Sequence, residues 1–85
     1  MERFSYQIQN PIGIHARPAG MLVKAASQYR SEVMLQAGEK SANAKKIFSV
    51  LTLGAKCGDQ VEVSVQGEDE QEACAGLKAF FEENL

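Results

Sequence analysis

The sequence predicts an α+β fold: four mostly antiparallel strands in one sheet, with three helices on one face and water on the other. Two observations carry this. The three longer strands alternate apolar and polar residues, the pattern of a sheet covered on one side only. The periodicities also follow one another in the order β-α-β-β-α-β-α, which describes a two-layer sandwich and not a doubly wound sheet. At 85 residues the chain is read as one domain, residues 1–85, with a thin core and little room for a deep substrate cleft.

Phe4 to Gln9 alternates strictly, placing Phe4, Tyr6 and Ile8 on one face. Asn10-Pro11-Ile12-Gly13 is turn chemistry. A helical stripe follows in Ala19, Leu22, Val23, Ala26 and Tyr29, with Gly20 in its early turns. Ser31 to Gln36 returns to a period of two with Val33 and Leu35 inward, and Ser41-Ala42-Asn43 reads as a short partner strand.

Lys45 to Leu53 reads as a brief helix closed by Gly54, a suitable residue for the left-handed position after a helix end. At ~100° per residue its apolar residues fall on two sides, Val50 with Leu53 and Ile47 with Phe48 and Leu51. So small a domain has room to bury one of them. An exposed Ile-Phe-Leu cluster is therefore expected as a docking patch.

Gln60 to Gln66 is the cleanest alternating strand. Asp69 is a good N-cap for the last helix, and Glu72 three residues later completes a capping-box pattern. That helix presents Ala73, Leu77, Phe80 and Phe81 to the core. Gly76, in its middle, costs ~1 kcal/mol against alanine.

Composition excludes several classes of function. The N-terminus lacks the basic-then-apolar plan of a signal peptide, and no apolar run approaches the ~20 residues of a membrane span. A cytoplasmic location is expected. The net charge of −2 argues against nucleic acid. Lysines and arginine gather in the first two thirds, however, and permit a basic face toward acidic partners. Cys57 and Cys74 form no C-x-x-C motif. Sequence leaves their pairing open, although buried or half-buried free thiols fit a reducing compartment better. One histidine and two scattered cysteines make no zinc set, and no cofactor is expected.

The chemistry converges on that histidine. Pro18 fits the first turn of a helix, where its missing N–H has no intrahelical partner, so the helix is expected to start near Ala16 with His15 at the N-cap. The residue before a proline is biased away from helical torsions, which leaves room for a start one residue later. The positive helix end is expected to disfavour the imidazolium and so to leave a neutral imidazole as nucleophile. A dianionic group on the ring would meet the free N–H groups of Ala16 and Arg17. The Arg17 guanidinium adds a planar fork for phosphoryl oxygens. Because arginine there opposes the helix dipole, local stability does not explain it. These parts suit a transient phosphohistidine.

Gly13-Ile14-His15-Ala16-Arg17-Pro18-Ala19 resembles the active-centre motif of the HPr family, the histidine-containing phosphocarriers of the phosphoenolpyruvate-dependent sugar phosphotransferase system. The similarity extends to the Gly38–Lys46 segment, the Leu53-Gly54 helix end and Gly67 to Gln71. It implies an open-faced sandwich and a monomeric carrier that is not a stand-alone catalyst. His15 would accept a phosphoryl group on Nδ1 from enzyme I and pass it to IIA units of sugar permeases, with Arg17 stabilising it and Pro18 shaping the turn. The family docks its partners through the first two helices. On this chain that surface comprises Gly20, Met21, Lys24, Ile47, Phe48 and Leu51, with Lys24, Lys45 and Lys46 as a basic rim. Regulatory proteins are further expected partners, and a regulatory phosphorelay in nitrogen or carbon signalling is the alternative to sugar uptake. Many members from Gram-positive bacteria carry a kinase-regulated serine where this chain has Lys46, which cannot accept that phosphate.

Overall fold

The computed structural model describes residues 1–85. The elements are β1 (Glu2–Gln7), α1 (Ala16–Ser27), β2 (Glu32–Ala37), β3 (Lys40–Asn43), α2 (Ile47–Leu53), β4 (Gln60–Gln66) and α3 (Glu70–Asn84). The four strands form one sheet in the order β1-β4-β2-β3, and every neighbouring pair is antiparallel. Register is set by the faces. Phe4 pairs with Val63, which pairs with Leu35, so inward residues meet across three strands. The core lies between this face and the helices, built from Val33, Leu35, Val61, Val63 and Val65 below and Leu22, Ala26, Val50, Leu77 and Phe81 above. Phe81 anchors α3 to the sheet through edge-to-face contacts with Phe4 and Tyr6, at centroid distances of 5.6 and 5.7 Å.

The element order matches the expected one, and the differences are local. Helix α2 begins at Ile47 and not at Lys45, because Asn43 folds the approach into a turn. Asn43 Oδ1 accepts the Lys45 N–H at 2.9 Å, and Asn43 O accepts the Lys46 N–H at 3.0 Å. The helix closes at Gly54 in the left-handed conformation, φ 66°, as expected. Tyr29 lies two residues beyond α1 and not on its stripe. Phe80 is only half-buried, packing its edge on Phe81.

The expected capping box is replaced by another arrangement. Asp69 occupies the N-cap position of α3, but its carboxylate makes no cap hydrogen bond. It reaches across to the start of β2, accepting the N–H groups of Arg30 and Ser31, each at 2.9 Å, and the Ser31 hydroxyl. Ser31 is fully buried, and its groups lie just outside the sheet ladder, so an unpaired donor there would be costly. Glu72 takes no part. Glu70 instead accepts the Gly67 N–H at 3.2 Å.

Both cysteines are free, but Cys57 is exposed in the turn before β4, contrary to the expectation of burial, while Cys74 is half-buried on α3. No helix is long and apolar enough to cross a membrane.

Candidate functional site

His15 occupies the N-cap of α1, with φ −113° and ψ −173°, and its carbonyl accepts the Ala19 N–H at 2.9 Å to close the first turn. The imidazole does no capping work and lies half-exposed. Pro18 is buried, so the first turn is pinned to the body by a residue whose lack of an N–H costs the helix nothing. The helix begins at Ala16 despite the bias that Pro18 places on Arg17. The N–H groups of Ala16 and Arg17 find no partner within the chain, and both residues are exposed. They form a small electropositive edge at the start of the helix that His15 caps.

Arg17 forms neither an ion pair nor a hydrogen bond within the chain, since the two salt bridges lie elsewhere, at Glu70 and between Arg30 and Glu68. His15, Arg17, Pro18 and Met21 line an open depression of about 300 Å³ together with Asn10 and Asn84. No acidic side chain lines it, and Arg17 is its one permanently charged lining side chain.

Sequence reasoning did not single out Asn10 or Asn84, whose role depends on long-range contacts. The Asn10 amide donates to Asn84 O at 3.3 Å, and its oxygen accepts the Ile12 N–H at 3.0 Å. The N–H groups of Gln9 and Asn10 both donate to Leu85 O, at 2.6 and 2.7 Å. The end of α3 thus holds the turn that delivers His15. Gly13 completes the hold at φ 78°, where a Cβ would meet Ala55 O at 2.5 Å and Lys56 Cα at 2.8 Å. Only glycine allows this backbone approach, which the Ile14 N–H secures by donating to Ala55 O at 3.0 Å.

The residues expected to dock partners lie on α1, α2 and the turn between β3 and α2. Gly20 and Lys24 are exposed, and Met21 retains 44% of its accessible surface. On α2 the expected exposed Ile-Phe-Leu cluster reduces to Phe48, because Ile47 and Leu51 pack partly against the core beside Val50. Val50 and Leu53 are buried, Ile47 and Leu51 are half-buried, and Phe48 stands 80% exposed. Lys46 is exposed at the N-cap of α2 without a capping hydrogen bond. Lys45 differs from the other two lysines, because its ammonium donates to Tyr29 O at 2.8 Å beyond the end of α1. It therefore ties the entry of α2 to α1. No three His, Cys, Asp or Glu side chains gather in a way that could hold a metal.

The family model described as "PTS HPr component phosphorylation site" matches residues 2–83. The chain belongs to the HPr family. A phosphocarrier protein HPr of Mycoplasma genitalium is 40% identical over 85 residues, spanning 99% of this chain and 97% of that protein. The HPr-like protein Crh of Bacillus subtilis is 37% identical over 79 residues, 93% of each chain. Among solved structures, a histidine-containing phosphocarrier protein of Mycoplasma superposes with a TM-score of 0.94 at 33% identity, covering 96% of this chain and 93% of that one. The chain is accordingly a phosphoryl carrier of the phosphotransferase system, on the HPr fold.

Proposed function

We propose that His15 is the phosphoacceptor, loaded by phosphorylated enzyme I and unloaded onto IIA units of sugar permeases. One observation carries this reading. A half-exposed imidazole stands at a helix N-terminus beside two unpartnered N–H groups and an unpaired guanidinium. In the loading step the Nδ1 lone pair attacks phosphorus while the bond from phosphorus to the donor breaks. The Ala16 and Arg17 amides and the Arg17 fork take the charge of the phosphoryl oxygens. Transfer onward reverses these roles. All these contacts lie on an open surface, so they hold the phosphoryl group without enclosing it.

Partners dock over α1 and α2 in this reading. Met21, Ile47, Phe48 and Leu51 supply apolar contact, Gly20 allows close approach, and Lys24 and Lys46 steer acidic surfaces into fast, reversible encounters. Lys45 contributes to that rim while holding the two helices together. The protein acts as one cytoplasmic, monomeric domain over residues 1–85 and turns over only with its partners. Mixed with enzyme I and phosphoenolpyruvate, it should form an acid-labile, base-stable adduct. Absence of that adduct, or its survival in His15→Ala, would sink the proposal.

Crh is described in a solved structure as a catabolite repression protein, and the similarity to it supports a second reading. In that reading phosphorylation of this chain signals to regulatory proteins, although the presence of His15 weighs against a purely regulatory role. Transfer to a IIA unit in a reconstituted chain separates the two. In either case Lys46 leaves no phosphoacceptor at the position where many relatives carry a regulated serine. A cognate kinase and ATP should therefore leave no phosphoserine detectable by mass spectrometry.

A further inference from the structure

After Phe48, the most exposed large apolar side chain is Ile12, at 70%. Its backbone is well held. The Ile12 N–H donates to Asn10 Oδ1 and the Gly13 N–H to Asn10 O, while Asn10 itself is bound to the end of α3. The turn draws on the Asn10 side chain and on backbone groups, and nothing in it requires hydrocarbon at position 12. A polar residue would serve the turn equally well and present less apolar surface to water.

We propose that Ile12 is a specificity-determining contact for phosphoryl transfer, buried against an apolar patch bordering the phosphoryl-bearing residue of the partner protein. The inference rests on His15 being the phosphoacceptor. Transfer brings the partner's reacting group into contact with His15, so the partner's footprint is centred there. An interface of ordinary size covers roughly 800 Å² on each side, a disc about 16 Å in radius. Three peptide steps place the Ile12 Cα no more than about 11 Å from that of His15. Asn10, which holds Ile12, also lines the His15 depression. Ile12 thus extends the docking surface onto the approach before His15, whereas Met21, Ile47, Phe48 and Leu51 all lie on the helices after it. Because the turn is already ordered, burying this side chain requires little further immobilisation.

The test is steady-state loading by enzyme I and phosphoenolpyruvate, comparing wild type with Ile12→Ala, Ile12→Asn and Ile12→Leu. Losing this apolar contact should raise KM roughly three- to tenfold with kcat unchanged. Ile12→Leu should restore most of the affinity, and all thermal midpoints should stay at the wild-type value. Met34→Ala, altering an apolar residue 40% exposed on the uncovered face of the sheet, should leave KM alone. An unchanged KM in Ile12→Ala and Ile12→Asn overturns the inference while leaving the role of His15 intact. So does a fall in thermal midpoint and kcat without a change in KM, since that would assign Ile12 a structural role. If the wild type itself takes no phosphoryl group on His15, both readings fall together.

Discussion

The Tyr29 hydroxyl lies directly against Gly76, in the space that a Cβ at that position would need. A glycine in the middle of α3 is a cost when the helix is considered alone. In the folded chain it is the clearance that lets Tyr29, just beyond the end of α1, pack over the middle of α3. Gly76→Ala should gain ~1 kcal/mol of helix propensity but lose about 1–3 kcal/mol to overpacking, for a net destabilisation. Tyr29→Phe, which removes the clashing oxygen, should recover much of that loss. Urea unfolding of the two single variants and the double variant measures the coupling.

Arg17 has no partner within the chain, and the proposed function assigns it to the phosphoryl group on His15. Arg17→Lys keeps the charge but loses the planar fork, and should lower kcat/KM for phosphoryl transfer by roughly an order of magnitude or more. The thermal midpoint should not move. Rapid-quench transfer assays read the first effect and calorimetry the second.

Asp69 carries a pH dependence. Its hydrogen bond from the Ser31 hydroxyl, followed by those from the Arg30 and Ser31 N–H groups, holds the carboxyl below its ordinary value of 3.8. A carboxyl depressed in the folded state contributes stability that is fully present above its unfolded value. That contribution is lost as pH falls through the folded one. Asp69→Asn should therefore be less stable than wild type at pH 7, and the gap should narrow only below about pH 4. Denaturant melts across pH 2–7 would show it, and a gap independent of pH would count against the ionised form.

Lys46 sits at a helix N-cap, where it can satisfy none of the orphan N–H groups and opposes the helix dipole. Lys46→Asp should stabilise the fold by about 1 kcal/mol, since the carboxylate caps α2 and complements its positive end. The same change reverses a charge beside the exposed Phe48, so transfer to an acidic partner should slow, most steeply at low ionic strength. A variant that is more stable yet slower to transfer is the expected outcome.

The strands, the inward faces and the helix start at His15 were legible in the sequence because each depends on local periodicity or on Pro18. The exposed patch on α2 was legible only at Phe48, since Ile47 and Leu51, expected beside it in the open, lie next to Val50 around the helix and pack partly against the core. The carboxylate of Asp69 misled, because a local capping pattern competes with a demand arising far away in the chain, at the buried Ser31. Asn10 and Asn84 were silent for the same reason: their bond spans 74 positions and exists only once α3 returns to the first turn. The sequence by itself thus determined which groups gather at the start of α1, namely a histidine, two free amides and an unpaired arginine in one stretch. Only the tertiary structure decided how firmly that stretch is held and what flanks it. Hydrogen bonds and packing from distant segments set those features, and no local pattern encodes them.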